Sequence, residues 1–150
     1  MPEKRSLARA RRDLRQGKSS STQAGEFVRE EMHHIRRGKH GARSTKQAIA
    51  IGLSKARRAG VRLRPPAKGT TSAKTRRSAM SAYRKGRHSG HASAKRSHAR
   101  SKALRREGHR AASHAALSRQ ARSAARHRSA ADRRASARKA ARTRSQERWS

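Results

Sequence analysis

Apolar positions recur at helical spacing over roughly the first sixty residues and then thin out. Leu7, Ala10 and Leu14 stand at i, i+3 and i+7 and are followed by Gly17, which predicts a short first helix. Ala24, Val28, Met32 and Ile35 form a second stripe with Phe27 at its edge, in a helix expected to start near Ser21 or Thr22 and to stop at Gly38. Glu26, Glu30 and Glu31 lie in its first half and Arg36 and Arg37 in its last turn, which complements the helix dipole. The third start is the clearest, because Ser44 with Gln47 three residues on makes a capping box. Ala48, Ile49, Gly52, Leu53, Ala56 and Ala59 then share a broad face, Ile51 lies beside it, and Gly60 closes the helix.

These stripes predict a mainly α fold: a small helical N-terminal unit of two to three short helices over residues 1–64, with a core of Leu7, Leu14, Phe27, Val28, Met32, Ile35, Ile49, Ile51 and Leu53. Pro65-Pro66 bars helix continuation and marks the expected boundary. Residues 65–92 read as a flexible linker holding one short helix, from Thr71 or Ser72 through Tyr83 to Gly86, with a joint at Gly86-Arg87-His88-Ser89-Gly90-His91. Residues 93–150 read as an Ala/Arg-rich basic tail: a helix from Ser93 to Gly108, then a low-complexity stretch, disordered or nascent-helical, from Ala111 to Arg148.

Composition sharpens that division. Of 150 residues 43 are Lys or Arg and 8 are Asp or Glu, a formal net charge of +35. Residues 1–64 carry net +13 and residues 65–150 net +22. GC-rich codon usage accounts for part of the excess of Arg over Lys, but not for the scarcity of acids, so the charge itself asks for a polyanionic partner. Low hydrophobicity with high charge predicts partial disorder. The unit of residues 1–64 would be marginal alone, so folding coupled to anion binding is expected. There is no cysteine, hence no disulfide or thiolate site, and no run of 18 apolar residues. With no secretory signal at Met1-Pro2-Glu3-Lys4-Arg5, a soluble, cytoplasmic protein with no membrane partner is expected.

Between the second and third helices, Gly38-Lys39-His40-Gly41-Ala42-Arg43-Ser44 is too long for a helix-turn-helix turn. Lys39, Arg43 and the Ser44-Thr45-Lys46 helix start suit a phosphate, through free backbone N–H groups and nearby cations; an ordinary glycine turn with a good cap explains the same residues. Gly17-Lys18-Ser19 is no nucleotide P-loop, since Arg12 stands where a glycine is needed.

The string from Ser44 to Ala56, preceded by Gly38-Lys39-His40-Gly41, resembles the signature of a family of small basic bacterial proteins of unknown function, over about residues 2–80. Some relatives in that family carry labels such as plasmid stabilisation or DNA-binding protein, so the resemblance implies a DNA-maintenance role without assigning any site residue. The tail is similar in composition to the Ala-rich tails of bacterial histone H1-like proteins, although those are Lys-rich.

On a helical wheel Arg119, Arg122, Arg126 and Arg133 make one stripe, with Leu117, Ala121, Ala124, Ala125 and Ala135 opposite and Arg128 breaking the apolar side. A continuous helix of these 38 residues spans about 57 Å at about 1.5 Å per residue, alongside roughly 34 phosphates of duplex, of which its net +9 neutralises about a quarter. Contacts of Arg and Lys to phosphate carry affinity without sequence information. The aromatic residues that single-strand readers stack on are limited to Phe27, Tyr83 and Trp149. The expected function is therefore nonspecific binding of double-stranded DNA, of nucleoid-associated or histone-like type. Candidate contacts are Lys39, Arg43, Lys46, Arg57, Arg58, Arg119, Arg122, Arg126, Arg133, Arg134, Arg138, Lys139 and Arg142. The rival readings are an RNA-binding or ribosome-associated basic protein, a plasmid maintenance factor, a cationic membrane-surface protein, and an adaptor whose first 64 residues bind an unnamed protein.

The nine histidines complete no His-Glu-x-x-His pattern and read as solvated polar positions, so no metal and no cofactor are expected. The hydroxyls lack a buried base, and the carboxylates read as helix-dipole or i,i+4 partners, so no enzyme is expected.

Overall fold

The computed structural model describes residues 2–88 and 93–148. The joint positions Ser89, Gly90 and His91, and the terminal Trp149, lie outside the described residues. Seven α-helices and one 3-10 turn follow in order among those described: α1 Lys4–Arg15, α2 Ser20–Arg36, α3 Thr45–Arg58, α4 Ala73–Arg87, α5 Ala94–Arg105, the 3-10 turn Arg110–Ala112, α6 His114–Arg126 and α7 Ala130–Arg148. The chain divides into two compact units, residues 1–113 and residues 114–150.

Helices α1 to α4 begin or end on chemistry that the sequence supplies. Ser19, rather than Ser21 or Thr22, caps α2, its Oγ accepting from the Thr22 N–H. Ser44 caps α3 by accepting from the Gln47 N–H, while the Gln47 side chain reaches back to accept from the Arg43 N–H at 2.7 Å. Ser72 does the same for α4 through the Thr75 N–H. The three expected glycine stops, Gly17, Gly38 and Gly60, all have positive φ, which lets the chain reverse at no Cβ cost.

The core solves the shortage of large apolar residues with small ones. Nine of the thirteen buried hydrophobic residues are alanine, and Phe27, Met32, Ile35 and Val61 are the others. Ala10, Ala24, Phe27, Ala56 and Val61 form one cluster, with Leu7, Leu53, Ala59 and Leu63 packed at its edge. Small residues let helix axes approach until backbone meets backbone. A Cβ on Gly52 of α3 would sit 2.7 Å from Cα of Val28 on α2, and one on Gly86 of α4 would sit 1.8 Å from the Arg57 carbonyl oxygen. Gly86 is thus a packing residue inside a helix and no part of a flexible joint. Of the expected core, Leu14 is the clear error: it is 62% exposed, because α1 turns Ser6, Ala10 and Asp13 inward instead. Val28, Ile49, Ile51 and Leu53 are only half-buried, at the rims of the helix crossings.

The compact unit also runs beyond Pro65-Pro66. Helix α4 packs on α3, so residues 73–87 are a fourth structural helix rather than a linker insert. The 3-10 turn packs on both α2 and α3, and its Ala111 and Ala112 are buried. The Thr45 hydroxyl donates to the Ala111 carbonyl at 2.7 Å and Arg36 Nε to the Ala112 carbonyl at 2.8 Å.

The second unit is helical, which corrects the expectation of a disordered or nascent tail. Alanine and arginine are both strong helix formers. It is also not one helix of 38 residues, for the chain breaks at His127, Arg128 and Ser129. Ser129 then caps α7 by accepting from the Asp132 N–H at 3.0 Å and donating to the Asp132 carboxylate at 2.7 Å. That capping pattern, Ser129-Ala130-Ala131-Asp132, is written in the sequence.

Candidate nucleic-acid interface

The few acids decide where the many cations are free. All six carboxylates of residues 2–113 sit in ion pairs that cross-brace the first unit. Glu26 meets Arg9 and Arg29, each at 3.5 Å. Asp13 meets Lys18 at 3.4 Å, Glu107 meets Arg43 at 3.8 Å, and Glu30 meets Lys55 at 3.4 Å. Glu31, fully buried, has Lys55 Nζ at 2.6 Å and His40 Nε2 at 2.8 Å. Glu3 accepts from His34 Nε2 at 2.7 Å and from Lys39 Nζ at 3.0 Å. These two hydrogen bonds, His34's first, hold the Glu3 carboxyl down at about 2. The carboxylates are thus ties between elements, and helix-dipole partners only secondarily.

The candidate contacts of the first unit separate accordingly. Lys46 is exposed with no ion pair among the described residues, and Arg43 is exposed with a long contact to Glu107. Lys39 is exposed but shared with Glu3. Arg57 is misassigned. Only 6% of it is exposed, and its Nε donates to the Leu63 carbonyl at 3.1 Å and its NH2 to the Arg64 carbonyl at 3.4 Å, so it pins the extended segment after α3. Burial pulls its pKa below the usual guanidinium value. Its neighbour Arg58 points outward, and burial of part of its guanidinium together with the nearby positive charge of Arg100 lowers its pKa too.

The loop from Gly38 to Ser44 is tied down as a structural turn over its middle residues. Three of its N–H groups are engaged by distant or capping partners: Gly41 donates to the Leu104 carbonyl at 2.9 Å, Ala42 to the Gly108 carbonyl at 3.0 Å and Arg43 to Gln47. A Cβ on Gly41 would lie 1.8 Å from the Glu107 carbonyl oxygen, so the segment after α5 lies directly on the loop.

Within the second unit the expected residues fall into two faces. Arg119, Arg122 and Arg126 share one face of α6 at i, i+3 and i+7. Arg134, Arg138 and Arg142 recur every four residues along α7, with Lys139 beside them, and all four are exposed. Arg133 leaves the expected stripe because of the break: its NH1 donates to the carbonyls of Ala125 at 3.1 Å and Arg128 at 2.8 Å, capping the end of α6. Helix α4 adds cations that sequence reasoning missed. Arg76, Arg77, Arg84 and Lys85 line an open groove with Met80 and Ser81, and their i, i+1, i+8, i+9 spacing was available as a signal.

The histidines are not uniformly solvated. His34 and His40 have side chains only 13% and 15% exposed, their rings stand edge to face with centroids 6.0 Å apart, and each touches a carboxylate. One ligand atom from each of Glu31, His34 and His40 lies within 4.8 Å of the others. The signal missed was Glu31 and His34 at i, i+3 on one helix face, with His40 returned to them by the Gly38 reversal.

No described helix is long and apolar enough to cross a membrane. Residues 15–68 match the profile of a family of unknown function, DUF6496. That span holds α2, the turn and α3, the part on which the resemblance to a family of unknown function rested, and it stops before α4. No curated protein and no solved structure matches the chain.

Proposed function

We propose that the chain binds double-stranded DNA without sequence preference, as a nucleoid-associated, histone-like protein of the cytoplasm that acts through Arg and Lys contacts to phosphate. The observation that carries this reading is the partition of charge. The six acids of residues 2–113 sit in internal pairs, while α7 exposes Arg134, Arg138, Lys139 and Arg142 and holds two acids, Asp132 and Glu147. Residues 114–150 hold 11 basic and 2 acidic side chains, net +9. Such a surface gains affinity by releasing counterions from phosphate and reads no bases.

The test is a salt titration of the full chain on random duplex DNA, beside a variant with Arg134, Arg138, Lys139 and Arg142 all changed to Gln. Each lost phosphate contact reduces the slope of log K against log salt by about 0.9, so four reduce it by about 3.6. Affinity that is equal across DNA sequences and a slope reduced by that order support the reading. An unchanged slope, or ribosomal RNA outcompeting duplex DNA at equal phosphate, overturns it.

A further inference from the structure

We infer that Glu31, His34 and His40 form a site for one divalent transition-metal ion of the zinc class, buried under the turn between α2 and α3. The argument starts from hydrogen positions. His40 Nδ1 lies 3.0 Å from the Gly41 carbonyl oxygen, which can only accept, so Nδ1 carries the hydrogen. In the neutral ring Nε2 then presents its lone pair to Glu31 Oε1, 2.8 Å away. Two lone pairs do not face each other at that distance unless a cation lies between or beside them. His34 repeats the pattern: its Nε2 donates to Glu3 Oε1, which leaves Nδ1 with the free lone pair.

Both oxygens of the fully buried Glu31 carboxylate lack a well-aligned hydrogen bond, although Lys55 Nζ contacts Oε2. Lys55 answers Oε2, so Oε1, with His40 Nε2 at 2.8 Å, is the oxygen whose lone pairs are left for a second cation. A tetrahedral zinc ion with bonds of about 2.0–2.1 Å sets its ligands roughly 3.4 Å apart. One ligand atom from each residue already lies within 4.8 Å of the others, so the His40–Glu31 pair at 2.8 Å opens and the wider pairs close by side-chain movements of about an ångström. The outer contacts of both rings, Gly41 O on His40 and Glu3 on His34, are of the kind that orient metal-bound histidines. Charge agrees as well. Glu3, Glu30 and Glu31 gather here against Lys39 and Lys55, a net negative centre in a chain of +35 that attracts a dication.

The experiment uses the full chain, stripped with chelator, titrated with Zn2+ in competition with a chromophoric chelator and with Co2+ as a spectroscopic probe. The nine histidines give weak background binding, so the expected result is one equivalent held at least tenfold tighter than the rest, with a four-coordinate Co2+ spectrum. His34→Ala and His40→Ala each remove that equivalent, while His33→Ala, at the exposed neighbour, keeps it. Because His40→Ala could loosen the turn, the ring resonances of the unmodified chain supply a second readout: Zn2+ shifts His34 and His40 and leaves the other histidines in place. Absence of a tight equivalent, unmoved His34 and His40 signals, or a loss in His33→Ala equal to that in His34→Ala overturns the site and leaves a proton as the cation at His40.

Discussion

The two units of this chain draw on the same alphabet of alanine, arginine and serine, yet they differ in how their helices are held. In residues 1–113 each carboxylate ties one element to another, and alanines and glycines let the helices close on Phe27 and Ile35. In α7, by contrast, every described side chain except the half-buried Thr143 is exposed, so its helix rests on propensity and its Ser129 cap. The difference teaches that acids count by where they are placed and not by their share, which is alike in the two units, with six in residues 1–113 and two in residues 114–150. The six stand between elements and beside a core of large apolar side chains, which dwindle to Leu117 and Trp149 in residues 114–150, where the arm keeps its charge outward.

The sharpest way to break this comparison is to remove the cation under the buried acids. Lys55→Met leaves Glu30 and Glu31 buried with a missing partner, and loss of one member of a buried pair costs about 3–5 kcal/mol. That is a large share of the roughly 5–15 kcal/mol that stabilises a typical domain. Urea unfolding is expected to show a collapse of the first unit's transition, whereas Lys46→Met, exposed on the same helix, stays within about 0.5 kcal/mol of the parent. A loss below about 1 kcal/mol for Lys55→Met would mean that the acids do not brace the unit.

A second substitution probes where the packed unit ends. In Gly41→Ala the new Cβ meets the Glu107 carbonyl oxygen, which is backbone and must move. The Gly41-to-Leu104 and Ala42-to-Gly108 hydrogen bonds then fail together. The expected cost is about 1–3 kcal/mol, as for other overpacked contacts, with amide exchange accelerating across residues 104–112. If exchange there is unchanged, that segment belongs with the arm.

How much of this was legible in the sequence follows from the kind of signal each feature leaves. Caps and stops are local, so Ser44, Ser72, Gly38 and Gly60 could be read directly, and the helices they bound are where they were expected. Contacts between distant segments leave no local mark. The Thr45 hydroxyl bond to the Ala111 carbonyl is one such contact, and even six or seven residues suffice to hide one: the doublet Arg57-Arg58 reads as solvated although Arg57 turns inward to the Leu63 and Arg64 carbonyls. Alanine is equally silent: Ala82 and Ala112 are buried while the alanines of α7 are exposed, and composition treats them alike. Leu14 misled for the opposite reason, since a strong local period placed it in a core that α1 fills with Ala10. The break at Ser129 was readable but was masked by the surrounding Ala/Arg repeats.

On the arm, Ser129→Ala removes the acceptor for the Asp132 N–H and is expected to destabilise α7 by about 1 kcal/mol. An exposed helix of this length is marginal in water, so that loss is expected to appear as reduced far-UV helicity at 25 °C, with the thermal transition of residues 1–113 unmoved. A cooperative shift of both would contradict the division into two units.

The smallest expected effect concerns the chain's N-terminal tie. Glu3 is held at about 2 by hydrogen bonds from His34 and Lys39, below its ordinary value of 4.5. A carboxyl depressed in the folded state contributes stability that is fully present above its unfolded value and disappears as pH falls through the folded one. Glu3→Gln is therefore expected to melt slightly earlier than the parent at pH 6, and the two melting curves are expected to converge between pH 4.5 and about 2. The carboxylate is nearly half exposed, so solvent screening keeps the gap small. A gap that stayed constant down to pH 2 would place its cause in packing at Glu3, and one that widened in acid would reverse the sign of this contact.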